Sequence, residues 1–272
     1  MTDAAALPDL APLHAWFTSY CGTFRSPDSE VQRNFDLKEE HTRNVCLDAR
    51  LIAQGGTPRF RMLAEVAGLC HDLRRFPQFR DFRTFKDSDS LNHAHLSLQV
   101  LRQNALLDFL PEDERERVET AVRLHNVFEV PEGLPPETLK LLSLLRDADK
   151  LDIWRVFIDY FHAPEGERPS AAGLGFPDLP GCSPETLASV GRREMVQLSS
   201  LRTLNDFKLL QLSWIYDINF TATLRLIRHR SVLEQFSAIL PTDDAAVRHV
   251  LAQVRDYLEQ KLAAAGGEPA LP

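Results

Sequence analysis

Four histidines of this 272-residue chain fall where a helical phase would place apolar side chains. His41 continues the stripe Leu37, Val45, Ile52, and His125 continues Val118, Ala121, Val122. His93 shares a face with Leu96, Ser97 and Val100, whereas His95 shares one with Gln99 and Arg102, so His93 is the inward residue. His71 follows Ala64, Ala67 and Gly68, a small-residue face that lets another element approach closely. Two carboxylates join them. Asp72 adjoins His71, and Asp149 interrupts the stripe Leu142, Leu145, Ile153, Val156. A carboxylate in such a stripe must be paired, protonated or bound to metal, because an isolated buried charge is very costly.

Any one of these histidines, taken alone, is more often a hydrogen-bonded core residue. Four of them with two inward carboxylates would each need a polar partner, and a shared metal centre serves all at once. Imidazole with carboxylate suits Mn, Fe, Co, Ni or Zn, with Mg admissible, as one or two divalent ions. Asp147 lies on a different face from Asp149, with Lys140 and Ser143, and is expected to face solvent or to support a ligand from behind. Asp152, three residues beyond Asp149, is within reach of the site's edge, with a surface ion pair as its expected role.

The elements that must carry these residues are helices. Only 12 glycines and few Val/Ile alternations leave little room for a sheet. A short helix is expected from about Pro8 to Tyr20, then a long one from Ser29 to Gln54, stopped by Gly55-Gly56. The next runs from Arg59 to Asp72. Leu73 to Asp87 is expected to be a loop, mixing cations with phenylalanines in RRFPQFRDFRTF, as a pocket lining or a packed lid. Ser88-Asp89-Ser90 offers a cap for a helix through Phe109, and Pro111 starts one through His125. After a connector at 131–136 comes the helix of Asp149. Ala163 to Pro184 reads as a Pro/Gly-rich loop, and a second helical block follows to about Ala264, its string WIYDINF read as core.

The net charge of −8 argues against a nucleic-acid partner, and no apolar run is long enough for a membrane span. The four cysteines form no CxxC pair and read as reduced thiols, so a cytoplasmic location is expected.

The strings Lys38-Glu39-Glu40-His41-Thr42, Leu69-Cys70-His71-Asp72, Asn92-His93-Ala94-His95, Leu124-His125-Asn126 and Asp147-Ala148-Asp149-Lys150-Leu151 form the ordered pattern H…HD…D. With it, residues from about Asn34 to Phe161 resemble the HD-domain superfamily of metal-dependent phosphohydrolases. The resemblance implies an all-α HD-domain helical bundle with an additional C-terminal helical block. Its expected division is an N-terminal helix and turn (1–28), the metal-binding domain (29–162), a loop (163–184), the C-terminal helices (185–265) and a frayed tail (266–272).

The resemblance also implies that His41, His71, Asp72 and Asp149 hold a first ion. His93 and His125 would add a second, with Asp72 between the two. His71 and Asp72 are then the catalytic pair, and a metal-activated water would attack a small phosphorylated metabolite or nucleotide. Phosphate recognition needs donors nearby: Arg75 is the first choice because a guanidinium fork matches phosphate, with Lys150 and Lys38 as weaker candidates. Two positions depart from the family pattern, Arg74 and Ser97 standing where glycine is common. Other readings are a di-iron oxygenase on the same helices and a nucleotide-binding sensory module without turnover. The C-terminal block is expected to pack on the core or to form a homodimer face.

Overall fold

A computed structural model describes residues 7–87, 92–171 and 175–266 of the protein. Among these residues there are twelve α-helices and no strand, so the fold is all-α. They fall into two compact units, one within Met1–Asp152 and Pro169–Ala172, the other within Ile153–Arg168 and Gly173–Pro272.

The first unit holds α1 (Ala11–Gly22), α2 (Ser29–Ile52), α3 (Pro58–Cys70), α4 (Arg75–Phe82), α5 (His93–Gln103), α6 (Glu112–Leu124) and the start of α7 (Pro136–His162). Local chemistry sets the ends. Asp28 caps α2 by accepting from Glu30 N and Val31 N. Thr57 caps α3, whose first residue is Pro58, where a missing N–H costs nothing. Glu112, Asp113 and Glu114 complement the positive end of α6. Gly68 brings α2 and α3 together: a Cβ there would lie 3.2 Å from Cys46 Cα and 3.3 Å from Cys46 N. That close approach is what sets His41 and His71 side by side.

The segment RRFPQFRDFRTF is not the expected loop. Arg75 to Phe82 form α4, because Pro77 occupies the first turn, where amide hydrogens have no intrahelical partner anyway. Phe76 and Phe79 pack inward, whereas Phe82 at the helix end is exposed. The Phe76 ring, 1% exposed, lies 5.5 Å from Phe24, 5.8 Å from Tyr20 and 6.1 Å from Phe17, centroid to centroid. Phe76→Ala is therefore expected to cost about 3–5 kcal/mol of unfolding free energy in a denaturant titration. A loss below about 1 kcal/mol would mean that the cluster is not core.

The expected cap at Ser88-Asp89-Ser90 lies outside the described residues. Asn92 caps α5 instead, its Oδ1 accepting from His95 N at 3.1 Å. The helix stops at Gln103 rather than Phe109. Leu106 N–H donates to Leu101 O and Ala105 N–H to Arg102 O, while Ala105 adopts φ +52°. This is a left-handed helix stop usually built on glycine.

The second unit contains the rest of α7 with α8 (Pro184–Gly191), α9 (Leu204–Ser213), α10 (Thr221–His229), α11 (Val232–Ile239) and α12 (Ala245–Ala264). Thr203 and Asp206 form a reciprocal cap on α9, and Asp206 also accepts from the Ser183 hydroxyl at 2.6 Å. Trp154 Nε1 donates to Gln211 O at 2.9 Å. In WIYDINF, Ile215 is fully buried, and Asn219 is exposed with its amide on Asp217 O. The expected tail begins at Gly266, and residues 267–272 lie outside those described. No helix among the described residues is long and apolar enough to cross a membrane. The four cysteines are free thiols.

Candidate metal centre

All six residues with ligand chemistry lie in the first unit and converge. His41 comes from the middle of α2, His71 and Asp72 from just beyond α3, and His93 opens α5. His125 follows the last residue of α6, and Asp149 lies on α7. His41 Nε2 is 3.3 Å from His71 Nε2 and 3.2 Å from Asp149 Oδ1. His93 Nε2 is 3.1 Å from His125 Nε2. Asp72 stands between these halves, with Oδ2 3.6 Å from both His41 and His71, and Oδ1 3.3 Å from His93 and 3.9 Å from His125. Three groups have ligand atoms mutually close enough for one ion: His41, His71 and Asp72; His71, His125 and Asp149; Asp72, His93 and His125.

The other ring nitrogens decide what these atoms can do. His41 Nδ1 lies 2.7 Å from Asp152 Oδ2, and His93 Nδ1 lies 2.7 Å from Asp87 Oδ2. His71 Nδ1 donates to Gly68 O at 2.7 Å, and His125 Nδ1 donates to Val122 O at 2.8 Å. Every Nδ1 thus faces an acceptor and carries the hydrogen, so in the neutral ring every Nε2 presents a lone pair. Four lone pairs and two carboxylates then point at one another in a buried space. Lone pair against lone pair at 3.1 Å is repulsive, and only a cation or added protons relieve it. The donor set fits a divalent metal.

The electrostatics divide the two halves. Burial and Lys38 press the His41 pKa down, but hydrogen bonds to Asp149 and Asp152 reverse this and raise it to about 9. Burial, reinforced by the neighbouring His93 and His71, holds His125 near 3. His93 is also lowered, by burial and then by Arg75. Burial would raise Asp72, yet Lys38, His71, Arg75 and His93 keep it well below the carboxylate range. Asp149 is held low in the same way, burial being outweighed by hydrogen bonds to His41 and His71.

A proton on His41 Nε2 occupies the direction a metal would take, so binding must expel it. Below pH 9 metal affinity is then expected to rise with pH, by about tenfold per unit for one displaced proton. Competition against a chromophoric chelator at pH 7 and pH 8 checks this. An affinity that does not change after correction for the chelator would contradict it.

Two expectations are corrected here. Asp152 makes no surface ion pair; it is 1% exposed and orients His41. Of the two places expected for Asp147, solvent is excluded, since the residue is fully buried. Both errors share a cause: α7 is enclosed on all sides around Leu141, Leu144, Leu145, Ala148 and Leu151, so it has no wet face there.

Arg75 Nη1 donates to Gln78 Oε1, Phe85 O and Asp87 Oδ1, and its Nε lies 3.5 Å from Asp72 Oδ1. Lys38 Nζ donates to Asp72 Oδ2 at 2.8 Å. Lys150 is buried, and one residue beyond Asp149 it points about 100° away on the helix. The two departures from the family pattern meet, since Arg74 N donates to Ser97 Oγ at 3.1 Å. Asp87 and Arg146 escaped the sequence reading. Asp87 sits in a loop without periodicity, and Arg146 donates to His125 O and Val127 O, fixing the turn that carries His125.

Residues 39–154 match the family model of the HD domain. The match is consistent with the HD-domain superfamily. No curated protein and no solved structure matches the chain. HD domains bind divalent metals and occur in metal-dependent hydrolases, and the buried cluster lies within the matched segment.

Proposed function

We propose that the HD domain is a metal-dependent phosphohydrolase that cleaves a phosphate ester of a small metabolite or nucleotide, and that its centre takes two ions. The convergence of four Nε2 lone pairs around the two oxygens of Asp72 carries this reading. His41, His71, Asp72 and Asp149 would hold one ion, and Asp72, His93 and His125 the other. A bound divalent ion acidifies water toward neutral pH and neutralises charge on phosphoryl oxygens.

The chain's own groups do the rest. His71 and Asp72 join α3 to both halves. Lys38 and Arg75 place cationic charge beside Asp72, where an anionic substrate would need it. Of the two, Lys38 suits the phosphate better, because Arg75 Nη1 is already engaged by three acceptors. Lys150 is assigned a weaker part in the same role. The partner is thus a small phosphorylated molecule, neither nucleic acid nor membrane.

A panel of phosphomonoesters and nucleotides, assayed with added Mn, Co, Ni and Mg, tests the assignment. Phosphate release that requires a metal is expected. Oxygen consumption by iron-loaded protein without phosphate release would replace the reading with an oxygenase. Tight nucleotide binding without turnover under every metal would replace it with a binding module.

A further inference from the structure

The four imidazoles are held by different means, and the difference follows from where each sits on its helix. His71 and His125 stand just past helix C-termini, where carbonyls lack intrahelical partners, and each ring uses the carbonyl three residues earlier. His41 lies in mid-helix, where backbone carbonyls are engaged, and it relies on Asp152 of α7. His93 is the first residue of α5 and has no preceding turn to lean on. Its orientation comes from the loop residue Asp87, whose Oδ1 and Oδ2 lie 3.0 and 2.7 Å from His93 Nδ1.

Asp87 gathers more than His93. Arg75 Nη1 donates to Oδ1 at 3.0 Å, Gln78 Nε2 to Oδ1 at 3.1 Å and Asn126 Nδ2 to Oδ2 at 3.2 Å. These donors come from α4 and from the turn directly after His125. One carboxylate therefore ties together α4, the start of α5 and the end of α6, the elements around His93 and His125. None of these contacts reaches His41, His71 or Asp149.

We infer that Asp87 is a positioning residue for the second ion alone: it fixes the His93 tautomer and its spacing from His125, making the second site separable from the first. This rests on the two-ion reading given above. Carboxylates behind metal-bound histidines contribute roughly 10–100-fold in affinity, so removing Asp87 lowers the affinity of one step by that factor and leaves the other unchanged.

The test is calorimetric titration of Mn into the metal-free full-length protein, with elemental analysis after dialysis against limiting metal, for wild type, Asp87→Ala and Asp87→Asn. The expected result is two steps in wild type. In Asp87→Ala one step falls by about 10–100-fold, with a stoichiometry near one ion after dialysis, and Asp87→Asn weakens the same step, because its amide either accepts from Nδ1 more weakly than a carboxylate or donates to it and selects the wrong tautomer. The isosteric asparagine variant keeps the test decisive should the alanine variant fold poorly. Two unchanged steps in both variants, or two steps weakened equally alongside a lowered melting temperature, overturn the inference and leave the two-ion reading standing. A single step in wild type overturns both.

Discussion

Asp72→Ala removes divalent-metal binding from both halves of the cluster and brings metal-dependent hydrolysis to background. Among the described residues Asp72 spans the cluster most fully, because it turns one oxygen to His41 and His71 and the other to His93 and His125. Losing it also strips the counter-charge from Lys38 and Arg75, leaving two cations beside a site meant for another. The affinity loss should exceed the roughly 100-fold upper range seen when only a supporting group behind a ligand is removed. Asp72→Asn keeps the shape and separates ligation from folding. Metal titration of both variants, with circular dichroism as the control for helix content, reads the effect. Near-wild-type affinity in either folded variant would exclude Asp72 as the shared ligand.

Asp152→Asn gives the second largest effect although the residue touches no ion. His41 Nδ1 lies 2.7 Å from Asp152 Oδ2, which keeps the hydrogen on that nitrogen and the lone pair on Nε2. An asparagine can turn its amide toward the ring, donate to Nδ1 and move the hydrogen to Nε2, the tautomer that cannot ligate. Removing the charge also withdraws one of the two hydrogen-bonded carboxylates that raise His41 to about 9. The expected outcome is a roughly 10–100-fold weaker affinity for metal. It should come with a fall in the His41 pKa, read by NMR titration of the ring carbons. A variant with both unchanged would assign Asp152 a packing role.

Helical phase in the sequence was enough to bring out the inward histidines and carboxylate that the fold gathers. Each of His41, His93, His125 and Asp149 breaks an apolar stripe, and a buried polar group in such a place demands a partner. Phase failed where a helix has no outer face. An amphipathic α7 would let Asp147 face solvent and Asp152 form a surface ion pair, but the stretch from Leu141 to Asp152 is enclosed almost all round and Asp152 reaches the site's edge at His41. Local punctuation also misled. Pro77 reads as a break yet sits in the first turn of α4, and α5 ends on Ala105 in a left-handed conformation without the glycine that would have announced it. Asp87 gave no signal at all. Its role exists only because the chain folds back to bring α4, α5 and α6 around one loop.

His41, His71, Asp72, His93, His125 and Asp149 are proposed to form together a divalent-metal centre. Anomalous diffraction from crystals of the protein grown or soaked with Mn tests it most directly. Difference peaks enclosed by these six side chains are expected, one between the His41–His71 pair and Asp149 and one beside His93 and His125. Crystals equally exposed to Mn that show no peak within this cluster would contradict it.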